Sequence, residues 1–183
     1  MKPNIELQTE LINQCIRGDS RAQFRLYKLY SKAMYNICIR MLSNTHDAED
    51  VLQESFVNVF RNLKSFKGES TLGAWLKRIV INKCISQLRK KKLDLVEMEH
   101  INFEKTEPIE MADYSAVNPE YIHHAIKELP EGSRVIFNLF ALEGYKHKEI
   151  SDLLGISEST SKTQYFRARS ILMNKLSVAV NEN

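Results

Sequence analysis

The sequence has few cysteines, and they do not have the spacing of paired metal ligands. Cys15, Cys38 and Cys84 are odd in number and widely separated, and each belongs to a helical pattern of apolar residues. None of the five histidines lies beside a cysteine at a metal-ligand spacing. We therefore expect three buried, reduced thiols in a cytoplasmic protein that uses neither a metal nor another cofactor.

Long apolar runs and catalytic motifs are also missing. No stretch approaches the roughly 18 consecutive apolar residues that a membrane-spanning helix needs. The N-terminal residues MKPNIELQTE lack the apolar core of a secretion signal. The sequence has no phosphate-binding loop, no nucleophile motif and no carboxylate pair with an adjacent histidine. These absences predict a protein that is not inserted in a membrane and is not an enzyme.

The net charge of +3 is unremarkable, but the charged residues are distributed in blocks. Residues 1–92 carry 17 basic and 8 acidic side chains, whereas residues 93–119 carry one basic and seven acidic side chains. Residues 120–183 carry eight of each sign. This asymmetry indicates that separate segments of the chain bind separate partners.

Apolar residues recur with the period of a helix, and the alternation typical of strands is nearly absent, so we predict an all-α protein. The expected helices cover residues 6–17, about 20–42, a stretch that begins after 44–45, about 71–92, 121–129 and 133–142, followed by a helix-turn-helix. Residues 93–118 have weak periodicity and an acidic bias, and we interpret them as a flexible linker. The predicted organisation is two helical domains, residues 1–92 and 119–183, joined by this acidic linker.

The segment from His147 to Arg169 has the layout of a helix-turn-helix, in which the second helix lies in the major groove of DNA. A short amphipathic run stops at Gly155, a residue type that takes a positive φ without steric strain. Ser157 can then cap the second run by accepting a backbone N–H. The alternative is an ordinary helical hairpin with a basic, solvated face.

The predicted third helix, which begins after residue 45, has polar residues segregated from its apolar stripe. These polar residues recur at helical spacing, and the acidic ones occupy the N-terminal half. They are Asp47, Asp50, Gln53, Glu54 and Asn58, here named the docking ridge. A solvated helix face would show the same pattern, and the functional interpretation is a surface that binds a basic partner helix.

Residues 61–92 hold ten basic residues against one acidic residue, which is too dense for a generic helix surface. Four polar residues of the predicted fourth helix share one side of it, here named the basic face: Arg78, Asn82, Ser86 and Arg89. Such a side suits a phosphate backbone with bases beside it. Phe66 lies just ahead, in a glycine-containing loop, where an aromatic ring can stack on an unpaired base. Trp75 is better interpreted as a core residue.

Three blocks of the sequence have the order and spacing of one known family. The first is DAEDVLQESFVNVF (residues 47–60), and the second is FKGESTLGAWLKRIVINKCISQLRKK (residues 66–91). The third is LPEGSRVIFNLFALEGYKHKEISDLLGISESTSKTQYFRARSIL (residues 129–172). Together they resemble the extracytoplasmic-function sigma factors of bacterial RNA polymerase. The first two blocks resemble region 2 of that family, and the third resembles region 4.

The resemblance implies a protein that binds core RNA polymerase, directs it to promoters and helps to open the duplex. It implies that the docking ridge binds polymerase and that the loop from Phe66 to Ser70 accepts a base flipped out of the single-stranded minus-ten element. The residues implied in minus-ten binding are Phe66, Lys67, Gly68, Glu69, Ser70, Lys77, Arg78, Asn82, Lys83 and Arg89. It further implies that the acidic linker threads the RNA path of polymerase and that an anti-sigma factor binds the protein.

Region 4 of the family reads the duplex minus-thirty-five element, so the resemblance implies the same for the second helix of the helix-turn-helix. Its first turns offer Ser159, Thr160, Lys162, Thr163, Gln164 and Arg167 to base edges or nearby phosphates. We predict a base-specific contact from Gln164, because its amide can pair with adenine through two hydrogen bonds. Arg167 is expected to hold a phosphate.

The sequence departs from the family pattern at a few positions of this motif. Ser151 replaces the usual alanine and Ser161 a common valine, and each hydroxyl needs a hydrogen-bond partner. Gln164 and Tyr165 replace a frequent Arg-Leu pair. The competing interpretation is a helix-turn-helix transcriptional regulator that acts without being a polymerase subunit, but it offers no reason for the basic fourth helix.

Overall fold

The structure is a computed structural model that describes the backbone of residues 3–91 and 118–181. The chain separates into two compact units, residues 1–91 and 92–183, here called the N-terminal and C-terminal units. Every regular element of the described residues is helical, and this confirms the all-α prediction. The predicted acidic linker, residues 93–118, lies outside the described residues except for Asn118.

Residues 3–91 of the N-terminal unit form four α-helices, and a 3-10 turn, Leu63–Ser65, follows the third. They are α1 (Pro3–Ile16), α2 (Ser20–Leu42), α3 (Thr45–Asn62) and α4 (Leu72–Lys90). Polar side chains begin the last three of these helices by accepting backbone N–H groups that lack intrahelical partners. The capping residues are Asp19, Asn44 and Thr71. Local sequence therefore sets where each helix starts.

The core of the N-terminal unit lies where α2, α3 and α4 pack against one another. Large apolar side chains such as Leu26, Leu63 and Leu76 are fully buried there. The three cysteines are buried and free, as the sequence predicts. A hydrogen bond with Cys38, together with burial, raises the pKa of the Cys84 thiol, so this group stays neutral in the core.

The described residues of the C-terminal unit, 118–181, also form four α-helices, and a π-helical segment, Asn138–Leu142, continues the second of them. The helices are α5 (Pro119–Lys127), α6 (Glu131–Phe137), α7 (His147–Leu154) and α8 (Glu158–Asn181). The first two begin two residues earlier than predicted. In α5 the reason is that the Asn118 side chain accepts the N–H of Glu120 at 2.9 Å and Pro119 occupies the first turn.

Helix α8 organises the C-terminal unit, because α5, α6 and α7 all pack against it. The middle of α8 buries Ala168 and Leu172 against Ala125, Ile126 and Leu129. Its N-terminal half packs against α6 and α7, which bury Ile136 and Ile150. The second helix of the predicted helix-turn-helix, α8, is therefore packed against the other three helices of the unit.

Candidate partner-binding and nucleic-acid-binding surfaces

The docking ridge lies along one side of α3, apart from the buried stripe that holds Leu52 and Phe56. Four of its five residues are exposed, and they are Asp50, Gln53, Glu54 and Asn58. Asp47 is largely covered, because its side chain retains only 15% of its exposure. Helix α3 thus presents an accessible and mostly polar surface from Asp50 to Asn58.

Two carboxylates of the docking ridge form ion pairs with lysines of α4 or its C-cap. Glu54 Oε2 lies 2.6 Å from Lys83 Nζ, and Asp47 pairs with Lys91. These hydrogen bonds hold the pKa of Asp47 and of Glu54 below the ordinary carboxyl range. Lys83, which we predicted beside DNA, therefore lies against the docking ridge. The ridge and the basic segment adjoin along α3 and α4.

The predicted base-accepting loop connects the 3-10 turn to α4. Its backbone begins with the Phe66 N–H donating to the Leu63 carbonyl at 3.1 Å, and Gly68 adopts a φ of +74°, which favours glycine. The residues after Phe66 are exposed: Lys67, Gly68, Glu69 and Ser70. The loop therefore offers side chains and backbone to a ligand at the start of α4.

Phe66 and Trp75 form an aromatic pair at the base of this loop. Their ring centroids lie 5.5 Å apart at an interplanar angle of 53°. Both side chains are half-buried, so Trp75 does not lie in the core as the sequence led us to expect. The neighbouring Leu72 and Leu76 are fully buried instead. Each ring keeps part of its surface available for stacking.

The basic face of α4 is exposed along its whole length. Arg78, Asn82, Ser86 and Arg89 are all accessible, whereas Leu76, Val80, Ile81, Cys84, Ile85 and Leu88 are buried on the other side. Lys77 is half-buried and flanks the face. The separation that helical spacing predicted for these residues agrees with their exposure.

The turn of the helix-turn-helix has the geometry that the sequence predicted. Gly155 adopts a φ of +71°, and its N–H donates to the Ser151 carbonyl at 2.8 Å. Ser157 Oγ accepts the N–H of Thr160 at 3.0 Å and so caps α8. Glu149 accepts the backbone N–H of Lys146 at 2.7 Å at the start of α7. Local hydrogen bonds thus fix both ends of the turn.

The first turns of α8 present most of the predicted DNA-binding residues. Ser159 and Lys162 are exposed, and Thr160, Thr163 and Arg167 are half-buried. Lys162 Nζ lies 2.8 Å from Glu158 Oε1, one turn earlier. A polar surface of short side chains therefore covers the N-terminal half of α8, flanked by two basic residues.

Gln164 is a correction to the predicted site. Only 4% of this residue is exposed, and its Oε1 accepts a hydrogen bond from Ser133 Oγ at 2.5 Å. A side chain held in this way points into the C-terminal unit, so it cannot pair with adenine in this conformation. The prediction of a base-specific contact from Gln164 was therefore wrong.

The two serines that replace apolar residues of the family pattern each have a hydrogen-bond partner, as we expected. Ser151 Oγ donates to the Lys148 carbonyl at 2.7 Å. Ser161 is fully buried, and its Oγ lies 2.9 Å from His147 Nδ1. The His147 ring stacks on Phe140 with centroids 4.2 Å apart. Sequence reasoning had assigned no role to His147.

Two kinds of site are not found in the part of the chain that the structure describes. No group of three or more His, Cys, Asp or Glu side chains is arranged to hold a metal ion in residues 3–91 and 118–181. Over the same ranges, no helix is both long and apolar enough to cross a membrane.

Comparison with known proteins gives two family matches and close relatives. Residues 26–93 match Sigma-70 region 2, and residues 120–172 match Sigma-70, region 4. The chain is 31% identical over 176 residues to the ECF RNA polymerase sigma factor SigW of Bacillus subtilis (strain 168), which covers 90% of this chain and 94% of that protein. This chain belongs to the extracytoplasmic-function (ECF) sigma factors.

Other comparisons agree with membership of the ECF sigma factors. The chain is 28% identical over 188 residues to the RNA polymerase sigma-H factor of Pseudomonas aeruginosa (strain PAO1), with 97% of each chain covered. It also resembles the sigma factor RpoE of Bartonella quintana, solved in complex with the anti-sigma factor NepR. The TM-score is 0.53 at 26% identity, with 84% of this chain and 96% of that chain covered.

The surfaces described above fall within the two matched regions of this ECF sigma factor. The docking ridge, the loop from Phe66 to Ser70 and the basic face lie in region 2, and the helix-turn-helix lies in region 4. Relatives of this kind are transcription factors rather than enzymes. Region 2 and region 4 therefore each carry one of the surfaces that sequence reasoning assigned to nucleic acid.

The environment of His147 predicts a pH dependence of stability. Burial and the nearby Lys162 lower the pKa of His147 below 6.5, although Glu158 acts in the opposite direction. The unfolded chain therefore binds the proton more readily, so the free energy of unfolding falls as the pH drops below 6.5. Between about pH 7.5 and about pH 5.5, we expect the unfolding temperature to decrease less for His147→Gln than for the unaltered protein. Equal decreases, measured by calorimetry, would contradict this expectation.

Proposed function

We propose that this ECF sigma factor directs promoter-specific transcription by dividing three tasks among three surfaces. The docking ridge of α3 binds core RNA polymerase, the loop at Phe66 with the basic face of α4 engages the minus-ten element, and α8 reads the minus-thirty-five element. The observation that supports this proposal is that the docking ridge, the loop with the basic face, and the first turns of α8 are all accessible at least in part and lie within regions 2 and 4.

The chemistry of the docking ridge supports a basic protein partner. Asp50 is exposed, and Glu54 keeps 60% of its side-chain exposure despite its ion pair with Lys83. Acidic groups that remain accessible attract a positively charged helix and suppress wrong partners. Val57, which is 48% exposed beside Asn58, adds an apolar contact within the same surface.

The loop and the basic face suit single-stranded DNA. Cations along α4 can neutralise phosphates and release counterions, so binding should weaken steeply with salt. The Phe66–Trp75 pair supplies aromatic surface at the N-terminal end of this face, where an unstacked base can be held. Base capture offsets part of the free energy needed to unstack the duplex.

The first turns of α8 suit the major groove of the minus-thirty-five element. Ser159 and Thr163 carry short hydroxyl side chains that can reach base edges, and Lys162 and Arg167 can hold the adjacent phosphates. With Gln164 buried, base reading falls to the hydroxyl residues.

We propose that this protein binds core RNA polymerase, promoter DNA and an anti-sigma factor. The anti-sigma partner is inferred from the RpoE relative, which was solved bound to one. The alternative function, a regulator that binds operators without polymerase, requires a DNA-binding C-terminal unit but no docking ridge.

Binding to core polymerase tests the proposal. We expect the purified protein to bind core RNA polymerase in a pull-down and to produce transcripts from a subset of promoters when it is added to that core. A protein that bound promoter DNA alone, and neither bound core nor supported transcription, would favour the alternative regulator.

A further inference from the structure

Four polar residues of the C-terminal unit form two hydrogen-bonded pairs where α8 packs against α6 and α7. They are Ser133, His147, Ser161 and Gln164, here named the polar seam. Ser133 Oγ donates to Gln164 Oε1 at 2.5 Å, and Ser161 Oγ lies 2.9 Å from His147 Nδ1. Ser133, Ser161 and Gln164 are buried, so these are interior contacts rather than solvated ones.

The polar seam ties α8 to two different helices. Ser161 and Gln164 are three positions apart and therefore lie on one side of α8. Their partners belong to α7 (His147) and to α6 (Ser133). Because hydrogen bonds tolerate little error in distance or angle, the two pairs together restrict both translation and rotation of α8.

An apolar contact at the same place would restrict α8 less. Cores repacked with apolar residues of suitable size lose uniqueness before they lose stability. Moving α8 by one residue would shift it by about 1.5 Å and rotate it by about 100°. That movement would break both pairs and leave buried polar groups without partners, which is unfavourable.

Aromatic packing fixes the imidazole of the polar seam. The His147 ring stacks on Phe140 with an interplanar angle of 13° and meets Tyr165 edge-on, with centroids 5.8 Å apart. Phe140 and Tyr165 also contact each other, at 4.5 Å between centroids. The Nδ1 atom of His147, which faces Ser161 Oγ, is therefore held in one orientation.

We propose that the polar seam positions α8 and thereby sets which of its residues meet the bases of the minus-thirty-five element. The inference rests on the proposed function of α8. Three of the four seam residues are buried, so the seam acts through the position of α8, and the more accessible Ser159 and Thr163 carry the readout. Within the family pattern, Ser161 replaces a common valine and Gln164 replaces the arginine of a frequent Arg-Leu pair.

Variants in which apolar side chains replace each hydrogen-bonded pair distinguish an effect on the position of α8 from an effect on the stability of the unit. Ser133→Ala/Gln164→Leu removes one pair, and His147→Phe/Ser161→Val removes the other, each with side chains of similar size. Holoenzyme made with each full-length variant would select from promoters randomised across the minus-thirty-five element. We expect the enrichment ratio of the preferred sequence over its single-base-pair neighbours to fall by about tenfold or more, with the unfolding temperature nearly unchanged.

Leu172→Val is the matched control, because Leu172 belongs to the core between α5 and α8 and lies outside the seam. We expect this variant to lose stability and to keep its discrimination. The inference would be overturned if both seam variants kept the enrichment ratio of the unaltered protein. It would also be overturned if the enrichment ratio fell in all three variants in proportion to the fall in unfolding temperature. Should one seam variant fail to fold, the other decides by the same criterion. If the unaltered protein does not discriminate, the proposed function of α8 fails as well.

Discussion

Replacing Asp50 and Glu54 with arginine is expected to abolish binding to core RNA polymerase while the helix content stays unchanged. Both residues are exposed on the docking ridge, so the change places two cations opposite a partner surface that we propose to be basic. The double change removes two exposed ion pairs, Glu54 with Lys83 and Asp50 with His46, and such pairs contribute about 0–1 kcal/mol each to stability. Core binding is measured by pull-down or anisotropy, and helix content by circular dichroism.

Glu49→Arg is the matched control for that double variant. Glu49 is an exposed carboxylate of the same helix, but it lies outside the docking ridge. We expect this variant to lose much less affinity for core polymerase than the double variant, since helical spacing turns Glu49 about 100° away from Asp50 and about 140° away from Glu54. If Asp50→Arg/Glu54→Arg also retained its affinity, the assignment of α3 to polymerase binding would have to be withdrawn.

Features that depend on local chemistry could be predicted from the sequence. The N-cap at Asp19, the left-handed turn at Gly155 and the cap at Ser157 each depend on residues no more than four positions apart. Capping and turn rules act over this range, because they satisfy the backbone groups nearest the helix end. The same holds for the faces of α3 and α4, which helical periodicity defines.

Features that depend on distant partners could not be predicted in this way. Gln164 was assigned to DNA because helical spacing places it on one face of α8 with Thr163 and Arg167, yet its partner Ser133 lies 31 positions away. The aromatic Phe166, two residues further on, is 55% exposed. Apolar residues are often exposed, and buried polar residues are informative, but only tertiary contacts identify them.

The ion pair of Lys83 with Glu54 in the N-terminal unit also depends on a distant partner and could not be predicted from the sequence. Lys83 was grouped with Arg78 and Asn82 because all three are polar residues in one basic segment. The structure places its ammonium against Glu54, a residue 29 positions earlier, and this contact follows from how α3 and α4 pack. Charge density predicted a binding surface, but it could not distribute the individual lysines between two neighbouring surfaces.

Phe66→Ala is expected to reduce formation of the open promoter complex while leaving core binding intact. Phe66 is half-buried against Trp75, so part of its ring remains available to a flipped base of the minus-ten element. Losing one base stack costs about 1–3 kcal/mol, or a reduction in open complexes on the order of 5- to 150-fold. The measurement is permanganate footprinting of the minus-ten region in holoenzyme assembled with the full-length chain.

Phe24→Ala is the control for loss of an aromatic ring in the same unit. Phe24 is 57% exposed on α2, outside the proposed DNA surface, and we expect its variant to open promoters normally. A promoter with a preformed bubble provides a second comparison. It removes the free energy of unpairing, so the Phe66→Ala defect should shrink there but persist, because the captured base still lacks its stacking partner. Normal opening of duplex promoters by Phe66→Ala would reject base capture at this loop, and a defect that vanished completely on the bubble would assign Phe66 to melting alone.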